Sequence, residues 1–368
     1  MKIHLTKFDL NNALNIVSHS QPIITSSEIL NGILIEIKNK KMYFTATDTN
    51  ITIETFIDVE TEEEASFVII SSKFSQIAKT LPSEKIEIEY NEEKEELKLK
   101  SGNSVSVHRT LKGEEFPKIK IKEEEEKIIL EKEKFKKAIN RTAFAASQDK
   151  MTGVMTNVLM EIKEKNLRMV ATDGFRLAIN NLKTEYEEKK EILIPSKSLI
   201  QISKIIREEG ENKNLEIGFN DNKVILKFDK IKVIINTYNG LYMEYKKFID
   251  IENPIEFIIE RAELEDCINR ASIFSAQKSN NLIKWTIENE RLNIESISEE
   301  GSIDERIDIN KIKGEKTKIG FNANLIKEII RNIGDDEIKI TMKNSESPAL
   351  IIPLNGKEYF YLILPVRM

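Results

Sequence analysis

The sequence predicts an α+β fold: three tandem copies of one domain, each with two helices and a mostly antiparallel sheet. Three recurrences predict it. Residues 7–15 (KFDLNNALN), 132–140 (KEKFKKAIN) and 261–269 (RAELEDCIN) each hold an apolar residue, a small one three positions on, an apolar one, then Asn. A second set follows in each copy: Phe74 and Ile77, Leu199 and Ile202, Leu325 and Glu328-Ile329. A third, Ala46-Thr47-Asp48, returns as Ala171-Thr172-Asp173. The spacing is about 125 residues, and the copies end near Phe116, Tyr242 and Met368. A solenoid or propeller repeats every 20–50 residues or so; this period is the length of a whole domain. The predicted domains are 1–120, 127–250 and 254–368.

Each copy reads in the same order. A strand opens it, at 2–5, 127–130 and 255–259. A helix follows, at 7–18, 132–146 and 261–276. In the second copy Phe135, Ala138, Ile139, Thr142 and Ala143 fall at three- and four-residue spacing, so one face is buried. Strands with period-two alternation come next, as at 30–38, 41–46 and 52–59. A second helix is predicted at 72–80, 196–208 and 323–332, each preceded by Ser or Asn as an N-cap. Further strands close the unit, giving about eight per copy. Connections are short and lack crossover helices, so the sheets are antiparallel. The charged stretch 118–133 reads as a solvated linker; a shorter linker lies at 250–254.

Composition narrows the function. The chain has 368 residues, 40% of them hydrophobic, and a net charge of −6. That is not the basic balance of a simple high-affinity DNA binder, although positive charge gathered on one surface remains compatible with it. No apolar run approaches the roughly 20 residues of a membrane span. Residues 1–5 enter a strand pattern without a signal-peptide core. The lone Cys267 sits on an apolar helix face, which predicts a buried structural thiol and no disulfide framework. Together these predict a cytoplasmic protein.

Catalytic motifs are missing. His4, His19 and His108 are far apart, and no HExxH, paired cysteine or EF-hand loop occurs, so no metal site is predicted. Gly314-Glu315-Lys316-Thr317 lacks the context of a phosphate loop and reads as a turn. No dinucleotide fingerprint occurs, and no base is placed beside a Ser or Cys nucleophile. The chain is predicted to need no cofactor and to catalyse nothing.

Surfaces carry more information. The polar helix faces hold Lys7, Lys73 and Lys79 in the first copy. The second holds Lys132, Lys134, Lys136, Lys137, Arg141, Lys197, Lys204 and Arg207. The third holds Arg261, Arg270, Lys278, Lys327 and Arg331. Equivalent faces of a repeat can line one wall, and such a wall follows a polyanion without gripping it. Residues 170–178, VATDGFRLA, read as a hairpin turning at Asp-Gly. The ending, Tyr361-Leu362-Ile363-Leu364-Pro365-Val366-Arg367-Met368, is apolar almost to its last residue, which predicts a docked tail.

These residues together resemble the bacterial DNA polymerase III β subunit family, the sliding clamps, over the full length. VATDGFRLA and LILPVRM carry the resemblance most specifically, helped by Glu114-Glu115-Phe116-Pro117 and Gln148-Asp149. The resemblance implies a head-to-tail homodimer, a six-domain ring around double-stranded DNA that is held without sequence preference. It implies a processivity factor that tethers the DNA polymerase III alpha subunit and other proteins bearing a clamp-binding motif. It also implies a separate clamp loader, and no membrane.

Carried over by match, the family's peptide pocket falls on Met155, Thr172, Gly174, Phe175, Arg176 and Leu177. Lys247, Phe248 and Pro348 add to it, and Leu362, Ile363, Leu364, Pro365, Val366, Arg367 and Met368 close it. A few apolar anchors supply most of the energy in such pockets, and Arg176 and Arg367 are placed to fix peptide amides. The DNA-facing wall falls on Lys7, Lys73, Lys79, Lys132, Lys136, Lys137, Arg141, Gln148, Lys197, Lys204, Arg207, Arg270, Lys278, Lys327 and Arg331. The dimer interface falls on Ile273 and Phe274, with Val105 and Val107 opposite. The chain departs from the family's pattern at Met243 and Asp250, where Pro is common, and at Lys246 and Lys247, where Arg is common. Lys lacks the planar fork of Arg. Ser106 and His108 stand where larger apolar residues are usual. An enzyme with a carboxylate site between copies, and a monomeric binding protein that closes no ring, are the competing readings.

Overall fold

The computed structural model describes residues 1–117, 126–207, 212–220, 222–249, 253–275, 280–354, 356 and 358–368. The opening strands are Lys2–Thr6, Glu126–Glu131 and Ile255–Glu260. Each runs straight into a helix. Among the described residues the α-helices are α1 (Lys7–Ser18), α2 (Ser71–Thr80), α3 (Lys132–Thr142), α4 (Ser196–Ile205), α5 (Arg261–Ile273) and α6 (Ala323–Arg331). The repeat extends to single hydrogen bonds. The first helical N–H of each copy donates to the residue before the strand that follows the second helix. Lys7 donates to Glu84 O at 2.7 Å, Lys132 to Lys213 O at 2.8 Å, and Arg261 to Asp336 O at 2.7 Å.

The apolar spacing fixes which helix face is buried. α1 buries Leu10, Ala13, Leu14, Ile16 and Val17, and α5 buries Leu264, Cys267, Ile268 and Ala271. Phe135, Ala138 and Ile139 do the same in α3. Thr6 caps α1 by accepting the Asp9 N–H at 2.9 Å, and Asn322 caps α6 by accepting from Asn324 and Leu325. α2 differs from the predicted pattern: it starts at Ser71 after Ile70, with no side-chain cap. Several helices stop short of the sequence prediction. The Thr142 hydroxyl turns back to the Ala138 carbonyl at 2.7 Å, and a tighter turn over Ala143–Ala145 replaces the last turn of α3. Cys267 is buried as predicted; burial and the neighbouring Glu305 carboxylate push its thiol up to about 11.

The chain forms two compact units: Met1–Glu133 with Ser198–Thr237, and Lys134–Lys197 with Tyr238–Met368. The second copy therefore contributes to both. In the first unit twelve strands of the described residues form one antiparallel sheet. Its continuity depends on one joint between copies, where Ile51–Asp58, the fourth strand of copy one, pairs with Ile231–Asn236, the last strand of copy two. The second unit holds a nine-stranded and a four-stranded sheet. The same joint recurs there: Arg176–Lys183, the fourth strand of copy two, pairs with Tyr359–Ile363, the last strand of copy three.

Among the described residues, two strands in the equivalent places lack a partner from another copy. Gly301–Asp308, the fourth strand of copy three, ends the four-stranded sheet. In Ser104–Lys112, the last strand of copy one, residues 110–112 pair with Ala65–Ile70. Among the described residues its 104–109 half meets only Glu96–Ser101. Val105 and Val107 on this half are 55% and 56% exposed, and Ile273 at the end of α5 is 76% exposed. Phe274 lies against Gly301, where an added Cβ would come within 3.1 Å of its ring. Ser106 and His108 face inward instead: they hydrogen-bond at 2.9 Å, and the His108 ring meets Phe74 edge-on.

No described helix is long and apolar enough to cross a membrane. Among the described residues no cluster of His, Cys, Asp or Glu is arranged to hold a metal. The first half of the predicted linker, 118–125, lies outside the described residues, as do Asp250 and Lys278; its second half is not linker but strand Glu126–Glu131 and the start of α3.

Candidate peptide-binding site

The predicted hairpin forms as read. Asn166–Thr172 pairs with Arg176–Lys183, with Thr172 opposite Leu177. Asp173 shapes the turn: its Oδ1 accepts the N–H of Phe175 at 2.9 Å and of Arg176 at 3.0 Å. Gly174 takes φ 89°, the left-handed region that favours glycine. Thr172 closes the turn, its hydroxyl donating to the Arg176 carbonyl at 2.6 Å and accepting from Gly174. The outcome is an aromatic side chain held out at the tip: Phe175 is 63% exposed.

The chain's last residues form the facing wall. Leu362 lies opposite Leu177 in the sheet, and Leu350 opposite Leu362. Beyond the last strand the tail stays docked. Leu364 N–H donates to Phe175 O and Val366 N–H to Gly320 O, both at 2.8 Å. Gly320 permits this approach, because a Cβ there would lie 2.9 Å from the Val366 oxygen and 3.0 Å from Met368 Cγ. Leu364 and Met368 remain exposed beside it.

The third wall is the segment 242–248. Tyr245 is buried and its phenol donates to the Glu161 carboxylate; burial and that carboxylate push it up to about 12. Lys246 reaches the other oxygen of Glu161 at 2.5 Å. Burial pushes the Glu161 carboxyl up, but hydrogen bonds from Lys246 and Tyr245 outweigh that and hold it below the usual range. Lys246 therefore anchors the wall. Lys247 is exposed and pairs with Glu244, and Phe248 is partly exposed. Beneath all three walls lies one apolar cluster, containing Leu159, Val170, Leu177, Ile179, Leu193, Tyr245 and Leu362, with Tyr242, Met243, Leu350 and Phe360 against it. Its outer part opens into a trough of about 510 Å³ between Ile249, Leu350, Ile352, Leu354 and Phe360.

Thus Thr172, Gly174, Phe175, Leu177, Leu362 and the tail are brought together, and Pro348 precedes the strand Ala349–Pro353 beside them. Met155 follows Val154, which packs against this cluster, and its carbonyl accepts the Ser147 N–H at 2.9 Å. Two residues do not fit the assigned role. Ile363 alternates with Leu362 and is wholly buried on the opposite face, so it belongs to the core. Arg176 is 6% exposed and spends its donors inside the protein, so it backs the wall instead of contacting a ligand. Sequence reasoning missed Glu161 and Tyr242, which build the site from behind; burial pushes the Tyr242 phenol far up.

Comparison with known proteins decides the family. Residues 1–120, 129–244 and 247–367 match the N-terminal, central and C-terminal domains of the DNA polymerase III beta subunit. The chain belongs to this family. A beta sliding clamp of Staphylococcus epidermidis is 29% identical, covering 97% of this chain and 96% of that protein. A DNA polymerase sliding clamp of Bacillus subtilis is 28% identical, with a TM-score of 0.94 over 100% of this chain and 99% of that one. A sliding clamp of Pseudomonas aeruginosa bound to griselimycin shares the fold, with a TM-score of 0.94, 21% identity and full coverage of both chains.

For a member of this family, the basic helix faces are the other surface of interest. Lys73, Lys79 and Lys204 are exposed in the first unit, and Lys197 and Gln148 in the second. Lys136 and Lys137 lie on α3. Several other residues already have partners. Lys7 donates to the Leu81 carbonyl at 2.6 Å, and Arg207 to Asn12. Arg141 lies 3.7 Å over the Tyr359 ring. Arg270 pairs with Glu305 at 2.6 Å, and Arg331 with Glu265 at 3.4 Å. Lys327 on α6 is half-buried. Lys132 is a correction. It is 1% exposed, with both oxygens of Asp229 at 2.9 Å, so its charge is neutralised inside the first unit and unavailable to DNA.

Proposed function

We propose that this chain is a DNA sliding clamp, a processivity factor that encircles duplex DNA and tethers the replicative polymerase through a peptide-binding pocket. Membership of the DNA polymerase III beta subunit family over almost the whole chain carries this reading. The strand pairing supports a head-to-tail assembly. Fourth strand to last strand is the joint used twice within the chain. The two strands left without that joint are the fourth of copy three and the last of copy one. A second copy completes both, head to tail, and such contacts close a ring when the rotation allows. Exposed strand edges invite this pairing. Val105, Val107, Ile273 and Phe274 flank it.

The mechanism is topological. Enclosure replaces grip, so phosphate contacts are few, non-specific and salt-sensitive. The exposed basic residues of the helix faces, Gln148 among them, approach the duplex. Partners such as the polymerase alpha subunit and the clamp loader place a short apolar peptide between Phe175, Leu362, Leu364 and Phe248. Tethering raises the partner's effective concentration at the primer end. The clamp itself performs no chemistry, acts in the cytoplasm, and relies on the loader for opening.

Primer extension on a primed circular template tests this. Adding the clamp and a loader should lengthen the products made per polymerase binding event. Product lengths unchanged by the clamp would count against the reading.

A further inference from the structure

Arg176 is bound more tightly inside the protein than a pocket lining requires. Nε donates to Asp173 Oδ2 at 3.0 Å and Nη2 to the Phe144 carbonyl at 3.1 Å. Nη1 lies 2.6 Å from the Glu328 carboxylate and 3.5 Å from the Leu325 carbonyl, both on α6. The Phe144 ring lies 5.0 Å from the guanidinium. One side chain thus joins the hairpin turn, the segment after α3, and α6.

The first copy shows that the turn itself does not need this arginine. There Asp48 Oδ1 accepts the N–H of Asn50 and Ile51, both at 2.8 Å, in the same turn. Ile51 stands where Arg176 stands in the second copy. Burying a guanidinium costs desolvation that an isoleucine avoids. The arginine is present where the turn carries Phe175 and faces the tail, and absent where it does not.

We propose that Arg176 is a positioning residue for ligand binding: Glu328 on α6 fixes the guanidinium, the guanidinium fixes Asp173, and Asp173 sets the tip that presents Phe175. The pocket's affinity is then set partly by a carboxylate on α6, behind the wall. This rests on the peptide-site reading above.

The test is calorimetric titration of the full chain with griselimycin, alongside thermal unfolding. Glu328→Ala should weaken binding roughly three- to tenfold with little change in Tm. Glu328→Gln, which keeps an acceptor oxygen, should lose less. In an Arg176→Met background, Glu328→Ala should cause no further loss. If Arg176→Met does not fold, Arg176→Lys is the second background; it should also bind more weakly, because an ammonium cannot span the same partners. An affinity of Glu328→Ala within about twofold of the unaltered chain overturns the proposal. So does an equal loss in the arginine-free background, because the effect then bypasses the guanidinium. Failure of the unaltered chain to bind griselimycin would remove the peptide-site reading itself, and this inference with it.

Discussion

The main-chain N–H of Leu364 donates to the Phe175 carbonyl across 2.8 Å, making one wall from a hairpin tip and the end of the chain. Residues 365–368 add a second fastening through Val366 and Gly320. Deleting them leaves the strand Tyr359–Ile363 paired on both sides. Griselimycin affinity should fall by about tenfold or more, with the melting temperature nearly unchanged. Gly320→Val should act in the same direction by displacing the tail. Unaltered affinity in both variants would remove the tail from the site.

The hairpin and tail were legible because their signals are local: an Asp-Gly turn between apolar runs, and an apolar chain end. The helices were legible for the same reason, through the spacing of Phe135, Ala138 and Ile139. What the sequence hid is set by distant partners. Lys132 looks like a solvated helix residue until Asp229, far along the chain, is folded beside it. Arg176 looks like a ligand contact until Glu328 arrives behind it. Ile363 and Leu362 are chemically alike, and only strand register assigns one to the core and the other to the pocket. The helix ends were misjudged where side chains such as Thr142 fold back onto carbonyls.

The Lys132–Asp229 pair gives a stability prediction. Removing the carboxylate leaves an ammonium buried without its partner. Asp229→Ala should cost about 3 kcal/mol or more in urea unfolding of the first unit. A loss under about 1 kcal/mol, the value typical of surface pairs, would mean that Lys132 finds water or another acceptor.

Glu161 gives a pH prediction. Its folded-state carboxyl lies below the ordinary value of 4.5. Its contribution is therefore complete above that value and lost as pH falls through the folded one. Griselimycin affinity should hold from neutral pH to about 4.5 and weaken below it, as Lys246 and Tyr245 lose their anchor. Glu161→Gln should bind more weakly throughout and lack this step. Identical pH profiles for the two proteins would assign the acid effect elsewhere.

The unpaired strand edges give an assembly prediction. Sedimentation equilibrium should return twice the chain mass for the unaltered protein. Ile273→Asp should shift it toward the single-chain mass while leaving griselimycin binding intact, because Ile273, at the end of α5, is not part of the hairpin tip, the tail or the segment 242–248 that wall the candidate pocket. A dimer unaffected by Ile273→Asp and by Val107→Asp would place the interface on another surface.

Enclosure of DNA is the central claim, and linearisation tests it most directly. The clamp is loaded onto nicked circular DNA with a clamp loader, the free protein is removed, and the DNA is cut once with a restriction enzyme. A closed ring is retained on the circle and slides off the cut ends, so release should follow cutting. Retention on the linear product would mean that contacts, and not topology, hold the protein on DNA, and would contradict the clamp account.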